Sequence, residues 1–482
     1  MTIDWNHLAE ELTRVLEPRR VVRRREELLV YECDGLMAYR QRPPLAVLPK
    51  TTEEVQAVLQ LCRRYGVPFV PRGAGTGLSG GALPEDNALL IVTALMRQVL
   101  QVDIPNRRVV VQPGVINHWV TQAVSPWGFY YAPDPSSQMV CSVGGNVAEN
   151  SGGVHCLKYG VTTNHVLGLK LVTALGEVVD LGGWVPETPG YDLTGVVVGS
   201  EGTLGIVTEI TLNILKTPPC VQVLCADFAT VAQAGAAVSA IIAAGIIPGG
   251  MEIMDNLSIN AVEQVVATGC YPRDAGAILL VELDGLPAEV AEAMAQVQRI
   301  CREQGARQLQ VAKDPQERER LWKGRKAAFA AMGKISRNYY VQDGVVPRSR
   351  LPWILQEIER LSRESGYRIA NVFHAGDGNL HPLILYDGTV PGALAQVERL
   401  GGEILKLCVQ AGGSISGEHG IGAEKRCYMS ELFSPADLET MQRLRRAFDP
   451  DGLANPSKVF PTPRTCGERA WATQHFPNVP AF

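Results

Sequence analysis

The stretch Arg72-Gly-Ala-Gly-Thr-Gly-Leu-Ser-Gly-Gly-Ala82 decides the fold of the first half of this chain. Residues 67–71 before it have the composition of a β-strand, and residues 45–49 predict an earlier strand. Between them, Thr51 with Glu54 is a capping-box pattern that predicts the start of an amphipathic helix. A β-α-β unit ending in five glycines leaves backbone N–H groups able to approach a diphosphate closely. The stretch lacks the Gly-Lys-Ser/Thr of a Walker loop, and glycine richness alone is equally typical of a flexible loop.

Two further stretches of glycine and small polar residues follow in the same half. They are Ser142-Val-Gly-Gly-Asn-Val-Ala-Glu-Asn-Ser-Gly-Gly-Val-His155 and Gly195-Val-Val-Val-Gly-Ser-Glu-Gly-Thr-Leu-Gly-Ile206. Residues 159–173 and 176–181, between the two stretches, predict a β-hairpin. Three such loops predict a long ligand held by backbone groups and small side chains. The glycine loops stop near Thr217, where we place a domain boundary.

In the second half, two histidines flank a glycine turn in Asn371-Val-Phe-His-Ala-Gly-Asp-Gly-Asn-Leu-His-Pro-Leu383. The flanking residues are strand-like and Gly-Asp-Gly-Asn is a turn signal, so a hairpin would bring His374 and His381 together. Further along, Ser416-Gly-Glu-His-Gly-Ile-Gly422 supplies Glu418 and His419. Two histidines and a carboxylate suit a divalent transition metal with an open position. The alternative is that these histidines only bond to backbone at strand ends.

Composition limits the classes of protein to consider. A length of 482 residues favours two or three domains, and 46% hydrophobic with 20% charged residues is typical of globular proteins. The net charge of -5 gives no general attraction to nucleic acid or anionic lipid, so we expect no nucleic-acid partner. The polar start, Met1-Thr-Ile-Asp-Trp-Asn-His7, lacks the apolar segment of a signal peptide, and no stretch is apolar for long enough to span a bilayer. We therefore predict a cytoplasmic protein without a transmembrane segment.

The glycine motifs carry a specific resemblance. Arg72-Gly-Ala-Gly-Thr-Gly77, Gly144-Gly-Asn-Val-Ala-Glu-Asn-Ser-Gly-Gly153, Tyr159-Gly160 and Gly199-Ser-Glu-Gly-Thr-Leu-Gly-Ile206 resemble the FAD-binding domain of the vanillyl-alcohol oxidase (PCMH-type) superfamily. In that family two α/β subdomains hold FAD extended between them. Thr76 stands where covalent members carry histidine, so the resemblance implies non-covalent FAD.

The same resemblance implies two groups of cofactor contacts. The first would hold the pyrophosphate: Arg72, Gly73, Ala74, Gly75, Thr76, Gly77 and Ser79. The second would line the rest of FAD: Pro133, Asp134, Ser136, Gly144, Gly145, Asn150, Ser151, Gly152, Gly153, Glu201, Gly202, Ile206 and Asn455.

Motifs of the second half are similar to the C-terminal domain of FAD-linked oxidases. They are Leu321-Trp-Lys-Gly-Arg-Lys326, the two-histidine stretch, Gly417-Glu-His-Gly-Ile-Gly422 and Asn455-Pro456. The combination resembles first the glycolate oxidase (glycolate dehydrogenase) flavoprotein subunits, then the D-lactate and D-2-hydroxyglutarate dehydrogenases.

We accordingly predict an α+β chain in which a two-subdomain PCMH-type FAD domain is joined to an α+β cap domain. Strands and helices alternate after Thr217, which predicts an antiparallel sheet in the cap. The predicted divisions are an N-terminal segment at 1–40, the FAD-binding domain at 41–217, the cap domain with the metal site at 218–450, and a C-terminal segment at 451–482 that returns to the FAD site.

The predicted reaction is FAD-dependent oxidation of a small 2-hydroxy acid, glycolate to glyoxylate or D-lactate to pyruvate. FAD takes the hydride. Zn, Mn or Fe on His374, His381 and Glu418 would bind the substrate and acidify its hydroxyl group. His419 is the expected general base, and Arg325 the expected partner of the substrate carboxylate. Val341 and Leu383 are apolar at positions where D-2-hydroxyglutarate enzymes carry polar residues. This difference favours a short monocarboxylic acid as the substrate.

Three alternatives remain at this point: a D-2-hydroxyglutarate-type dehydrogenase, a non-catalytic FAD-binding subunit of an oxidase complex, and a metallohydrolase using the same ligands. None of the eleven cysteines forms a Cys-x-x-Cys pattern, which argues against an iron–sulfur cluster in this chain. Electrons are therefore expected to pass to an iron–sulfur or FAD-binding partner subunit or to quinone, and such a partner would place the protein peripherally at a membrane.

Overall fold

A computed structural model describes residues 3–184 and 189–461 of the chain. Within these residues the strands are, in chain order, β1 Val21–Val22, β2 Leu45–Val47, β3 Phe69–Arg72, β4 Leu89–Val92, β5 Val99–Asp103, β6 Arg108–Val111, β7 Phe129–Tyr130, β8 Val166–Thr173, β9 Val178–Gly182, β10 Gly205–Asn213, β11 Leu215–Lys216, β12 Cys220–Phe228, β13 Gly250–Asp255, β14 Ala277–Gly285, β15 Gln308–Val311, β16 Asn338–Val341, β17 Ile369–His374 and β18 Pro382–Tyr386.

The α-helices of the same residues are α1 Trp5–Val15, α2 Arg25–Leu28, α3 Thr52–Tyr65, α4 Asn117–Val124, α5 Val143–Glu149, α6 Cys156–Tyr159, α7 Leu193–Val197, α8 Val231–Ala243, α9 Asn256–Val265, α10 Pro287–Glu303, α11 Pro315–Ala331, α12 Leu351–Ser365, α13 Ala393–Gln410, α14 Met429–Leu432 and α15 Pro435–Phe448. No helix of the described residues combines the length and the apolar character that crossing a membrane requires.

The chain forms two compact units, and neither is one continuous piece. Of the described residues, the first unit contains those up to Gly152, those between Val161 and Lys216, and those from His419 to residue 461. The second contains Gly153–Gly160 and Thr217–Glu418. The predicted linear limits at 41–217 and 218–450 stay predictions. Part of the predicted 451–482 segment, residues 462–482, lies outside the described residues.

The first unit contains two main sheets. One has the order β1-β2-β4-β3, with β2, β4 and β3 parallel, and α3 joins β2 to β3 as the predicted β-α-β unit. The other, of order β5-β6-β10-β8-β9, is antiparallel and contains the predicted β8–β9 hairpin. Helices α1 and α3 share a buried core with the first sheet, because their apolar residues recur at helical spacing: Leu8, Leu12, Val55, Val58 and Leu59.

The capping box at the start of α3 is only half formed. Thr51 accepts a hydrogen bond from the Glu54 N–H through its hydroxyl at 3.3 Å, as the pattern predicts. The Glu54 carboxylate, however, accepts from the Lys50 N–H at 2.7 Å and from the Arg20 guanidinium at 2.6 Å. The buried Arg20 guanidinium outcompetes the Thr51 N–H for the carboxylate, because hydrogen bonds between ionised groups are the stronger ones.

The second unit is built on one antiparallel sheet of order β15-β12-β14-β13-β17-β18-β16, which confirms the predicted antiparallel sheet. The predicted hairpin around the two histidines is confirmed as β17 and β18, with Ala370 opposite Leu383. Strand β13 pairs with β17 so that Glu252 stands opposite His374. This register places a carboxylate beside the first histidine.

Candidate active site

The two histidines predicted to bind metal lie at the two ends of one hairpin turn. His374 is the last residue of β17, and His381 directly precedes β18. The His374 N–H donates to the Asn379 carbonyl at 3.1 Å, and the Asp377 carboxylate accepts from the Asn379 N–H at 3.1 Å. Gly378 has φ 84°, and a Cβ there would lie 2.1 Å from a backbone carbonyl oxygen, so the turn requires glycine. The two imidazole centroids are consequently 5.1 Å apart.

Glu418 brings a carboxylate to both imidazoles. Its Oε1 lies 3.3 Å from Nε2 of His374 and 3.0 Å from Nε2 of His381. One ligand atom from each residue lies within 4.8 Å of the others, and both histidines are buried. Two imidazole nitrogens and a carboxylate oxygen thus converge as the sequence predicts, in an arrangement that suits Zn, Mn or Fe.

Glu252 supports His374 from the other side of its ring. Its Oε1 lies 2.6 Å from His374 Nδ1, and its Oε2 lies 2.6 Å from Nη2 of Arg325 on α11. Both Glu252 and Arg325 are buried, so the pair is shielded from water. A carboxylate on the second ring nitrogen fixes the tautomer and orientation of a metal-binding histidine. Glu252 is not among the residues predicted to form the site; its signal in the sequence is a carboxylate within the apolar strand Gly250-Met-Glu-Ile-Met254.

Asp343 organises the opposite side of the cluster. Its buried carboxylate accepts hydrogen bonds from the Ser416 hydroxyl at 2.7 Å, the Gly417 N–H at 3.0 Å and the Glu418 N–H at 3.2 Å. Its Oδ1 also lies 3.7 Å from His381 Nδ1. Asp343 therefore fixes the backbone that presents Glu418 and faces the second ring nitrogen of His381. Asp343 is not among the residues predicted from the sequence to form the site.

Electrostatics of the cluster fit a cation among the three ligand atoms. When Nδ1–H of His374 donates to Glu252, Nε2 presents a lone pair to Glu418 Oε1, and two acceptors this close repel unless a proton or cation lies between them. Burial lowers the pKa of His374, but Glu252 and Glu418 outweigh burial and hold that pKa well above its ordinary value. Burial raises the pKa of Glu418, but His374 and His381 outweigh it and hold that pKa well below its ordinary value. A divalent cation could be bound by the same lone pairs, on the two Nε2 atoms and on Glu418 Oε1.

Arg325, predicted to bind the substrate carboxylate, has one nitrogen engaged by Glu252. Its Nε is buried and has no hydrogen-bond partner among the described residues. The guanidinium therefore keeps a donor for another group.

In the first unit, the Arg72–Gly77 loop forms a tightly packed cradle at the end of β3. Gly75 has φ 72°, and a Cβ there would lie 2.2 Å from Arg72 Nη2. A Cβ on Gly73 would lie 2.1 Å from the Ser142 hydroxyl, which accepts a hydrogen bond from the Ala74 N–H at 3.2 Å. A side chain is thus excluded at Gly73 and Gly75, which keeps the backbone of the loop accessible to a diphosphate.

Ser79 adds an observation that points to a ligand. Its hydroxyl oxygen is buried and has no hydrogen-bond partner within residues 3–184 and 189–461. A buried hydroxyl without a partner is costly, and a cofactor oxygen would relieve that cost. The cradle and this hydroxyl together fit FAD.

The other predicted cofactor contacts lie around α5 and at the start of β10. Before α5 lie Pro133, Asp134 and Ser136; within it lie Gly144 and Gly145; after it lie Asn150, Ser151 and Gly152. The start of β10 contains Ile206, and Glu201 and Gly202 precede it. Gly153 starts the segment assigned to the second unit. Thr76 and Gly77 complete the first loop. Contacts of these residues with FAD stay predictions.

Two of the predicted cofactor contacts, Asn455 and Glu201, form hydrogen bonds with backbone groups of the protein. The Asn455 amide donates to the carbonyl oxygens of Gly81 at 3.0 Å and Glu201 at 2.7 Å. The Glu201 carboxylate accepts from the Ile421 N–H at 2.7 Å and the Gly422 N–H at 2.6 Å. Asn455 thereby connects the C-terminal segment to two loops that we predict to contact FAD. The predicted base His419 is partly exposed and begins the segment that Glu201 fixes.

Comparison with known proteins identifies two matching family models. The model described as FAD linked oxidases, C-terminal domain, matches residues 217–459, and the FAD binding domain matches residues 43–182. The chain is 53% identical to glycolate oxidase subunit GlcD of Escherichia coli (strain K12), over 94% of this chain and 91% of that protein. It is 33% identical to a D-lactate dehydrogenase of Anaerostipes hadrus, over 92% of this chain and 95% of that protein.

A solved structure shares the fold. The crystal structure of p-cresol methylhydroxylase with substrate bound superposes with a TM-score of 0.80 over 94% of this chain and 96% of that chain, at 16% identity. At that identity the likeness concerns the fold alone, and it confirms the predicted PCMH-type architecture.

Proposed function

This chain belongs to the family of FAD-linked oxidases and is an FAD-linked oxidoreductase of 2-hydroxy acids, and from that premise we propose that it oxidises glycolate to glyoxylate with the help of a divalent metal. The observation that carries this proposal is the convergence of the two histidine Nε2 atoms on one oxygen of Glu418, at 3.3 and 3.0 Å. D-lactate is the second candidate, favoured by the similarity to a D-lactate dehydrogenase over 95% of that protein.

Oxidation of a 2-hydroxy acid removes a proton from the hydroxyl group and a hydride from the α-carbon. When bound, FAD accepts the hydride and a divalent ion lowers the pKa of the hydroxyl group. His374, His381 and Glu418 would hold that ion. Glu252 keeps Nδ1 of His374 engaged at 2.6 Å, so that Nε2 remains the ligand atom.

Two further residues have proposed roles toward the substrate. His419 would accept the hydroxyl proton, because an imidazole ordinarily titrates near neutral pH. Arg325 would pair with the substrate carboxylate through donors that Glu252 does not engage, and its unpartnered Nε supports this role. Glu252 would then connect the substrate-binding cation to the metal-binding His374.

A short substrate is supported by the strand pairing next to the cluster. Val341 and Leu383 stand opposite each other in the β16–β18 pair, and both are buried. Leu383 lies two residues after His381, so both project to the same face of the strand. Apolar side chains there offer no partner for a second carboxylate, which disfavours D-2-hydroxyglutarate.

Binding of FAD is proposed to be non-covalent, because Thr76 replaces the histidine of covalent relatives. Electrons from reduced flavin would pass to an iron–sulfur or FAD-binding partner subunit or to quinone. The word subunit in the name of the E. coli relative supports a complex. We propose a cytoplasmic location, peripheral at the membrane where such a partner is bound.

Anaerobic flavin reduction tests the proposal. Purified holoprotein, with and without added Zn²⁺ or Mn²⁺, is mixed with glycolate, D-lactate, L-lactate or D-2-hydroxyglutarate, and flavin absorbance is followed. We expect glycolate to bleach the flavin fastest, D-lactate more slowly, and the other two acids little. Flavin that dithionite reduces but none of the metal-supplemented acids reduces would contradict the proposal and favour a non-catalytic subunit.

A further inference from the structure

Glu201 stands in a glycine motif that predicts a cofactor contact, yet its carboxylate points to another part of the protein. Oε1 accepts from the Ile421 N–H at 2.7 Å, and Oε2 accepts from the Gly422 N–H at 2.6 Å. The side chain is only 5% exposed. Both oxygens are therefore occupied, and a carboxylate has the wrong sign of charge to contact a diphosphate.

The backbone that receives Glu201 is shaped for an anion. Gly420 has φ 83° and Gly422 has φ 52°, so the Gly-Ile-Gly sequence turns two successive N–H groups toward one point. Successive backbone N–H groups in such a turn form an anion-binding concavity. A Cβ on Gly420 would lie 1.9 Å from Glu149 Oε2 and 3.0 Å from Glu201 Oε1, so glycine permits both carboxylates to approach this turn closely. The anion in this concavity is the protein's own Glu201.

The residues that follow this turn, 423–425, are also held by hydrogen bonds. The Ser79 carbonyl accepts from the N–H groups of Ala423 and Glu424, both at 3.0 Å, and Lys425 Nζ donates to the Gly420 carbonyl at 2.9 Å. The Ser79 anchors are backbone bonds, and that of Lys425 is local to the segment. Glu201 comes from a distant part of the sequence, 220 positions before Ile421, and its carboxylate accepts hydrogen bonds from two successive backbone N–H groups of residues 420–422.

We propose that Glu201 is a positioning residue for the reaction: it fixes the backbone of residues 420–422 and thereby sets the imidazole of His419, which directly precedes them. The inference rests on the proposed function for the role of His419 in proton transfer. It assigns Glu201 no contact with substrate or with the reacting atoms.

Glu201→Gln tests the inference with little change in shape. Glutamine keeps one acceptor oxygen, but its NH₂ group meets the second backbone N–H, so one of the two hydrogen bonds is lost. Glu209→Gln on β10 is the control, since Glu209 pairs at 2.7 Å with Lys170 near the protein surface. For each protein, hydrogen–deuterium exchange of the peptide covering residues 419–425, FAD content, and kcat and KM for glycolate are measured.

We expect exchange of that peptide to accelerate about tenfold in Glu201→Gln, as the loss of one strong hydrogen bond implies. We expect kcat to fall roughly 10- to 100-fold, the range of a weakened general base, with KM within about threefold and FAD content unchanged. The deuterium isotope effect with α-deuterated glycolate should increase, because bond breaking becomes slower relative to product release. Glu209→Gln should match wild type in every measurement.

Two results would overturn the inference: unchanged exchange with unchanged kcat, or loss of FAD in proportion to the loss of kcat, which would make Glu201 a cofactor residue. Exchange is measured without substrate, so it reports on the loop even if glycolate and D-lactate fail to reduce wild-type flavin. Such a failure in wild type would contradict the proposed function itself.

Discussion

The flavin cradle around residues 72–77 and the histidine cluster of the second unit are built in opposite ways. The cradle is formed by consecutive residues, most of them small, and Gly73 and Gly75 approach neighbouring groups so closely that a Cβ would clash. The cluster is formed by charged side chains from five separate positions, each fixed by another: Glu252, Asp343, His374, His381 and Glu418. We therefore expect FAD binding at the cradle to be weakened by added side-chain atoms, and metal binding at the cluster to be weakened by removed side chains.

Removing a metal ligand should break the cluster and leave the cradle intact. In His381→Ala, kcat/KM for glycolate should fall roughly a thousandfold, since several kcal/mol of transition-state stabilisation would be lost. FAD content should remain that of wild type. Metal analysis, flavin absorbance and anaerobic reduction measure these quantities. His7→Ala, which removes an exposed imidazole on α1, is the control; loss of FAD together with metal would contradict the separation of the two sites.

Glu252→Gln tests the contact that orients His374, one of the proposed metal ligands. Metal affinity should fall about 10- to 100-fold, because the amide orients His374 less firmly than the carboxylate does. The thermal midpoint should also decrease, since the buried Arg325 loses its counter-charge. Metal titration and thermal unfolding provide the measurements. Glu357→Gln on α12, which disrupts a partly exposed pair with Arg360, should change neither. Wild-type metal affinity in Glu252→Gln would mean that the register of β13 has no part in metal binding.

Gly75→Ala adds a single methyl group to the cradle. FAD affinity should fall about tenfold or more, because a strained residue with positive φ costs 1–3 kcal/mol and the new Cβ clashes with Arg72. Metal content should be unchanged. Gly66→Ala is a matched control: Gly66 has φ 62°, but a Cβ there meets nothing within 4 Å. Titration of apoprotein with FAD decides the outcome, and equal FAD affinities of the two variants would show that the cradle tolerates the extra atom.

Ser79→Ala should have the smallest effect. FAD affinity should fall only a few-fold, the contribution of one ordinary hydrogen bond. The thermal midpoint of the apoprotein should stay level or rise slightly, because the buried hydroxyl has no hydrogen-bond partner in the part of the chain that the structure describes. Calorimetry of the apoprotein and fluorescence titration with FAD measure both. Ser125→Ala, at an exposed position, is the control. A destabilised apoprotein with unchanged FAD affinity would contradict the assignment of this hydroxyl to the cofactor.

Local signals predicted the parts of the sites that lie close together in sequence. The turn between His374 and His381 could be predicted because its glycines, Asp377 and flanking strands occur within 18 residues, 369–386. Glu252 could not be predicted from such a signal, since it lies 122 positions before His374 and reaches it only through the pairing of β13 with β17. The engagement of Arg325 by Glu252 depends on the same pairing.

The role of Glu201 was hidden for a related reason. Its motif resembles a cofactor loop, but the backbone partners of its carboxylate lie 220 positions later, in a glycine turn that the sequence analysis considered only as the source of Glu418 and His419. Similarly, residues 153–160 continue a flavin-type glycine motif, yet His155 lies 2.9 Å from Glu282 and the Lys158 ammonium donates to Asp284 at 2.7 Å in the second unit. A motif therefore identified the family more securely than it identified what each of its residues touches.

The C-terminal segment has a consequence for how the chain is made. Strand β3 is an edge of its sheet, and that edge is covered by Ala454, which bridges Phe69, and by the Asn455 N–H, which donates to the Phe69 carbonyl at 2.8 Å. An uncovered edge strand is a template for aggregation. At a translation rate of about 5–20 residues per second, the nascent chain exposes this edge for tens of seconds before its cover is synthesised. Chaperone demand during translation should therefore depend on when residues 453–455 are synthesised rather than on the folding of the first domain to emerge.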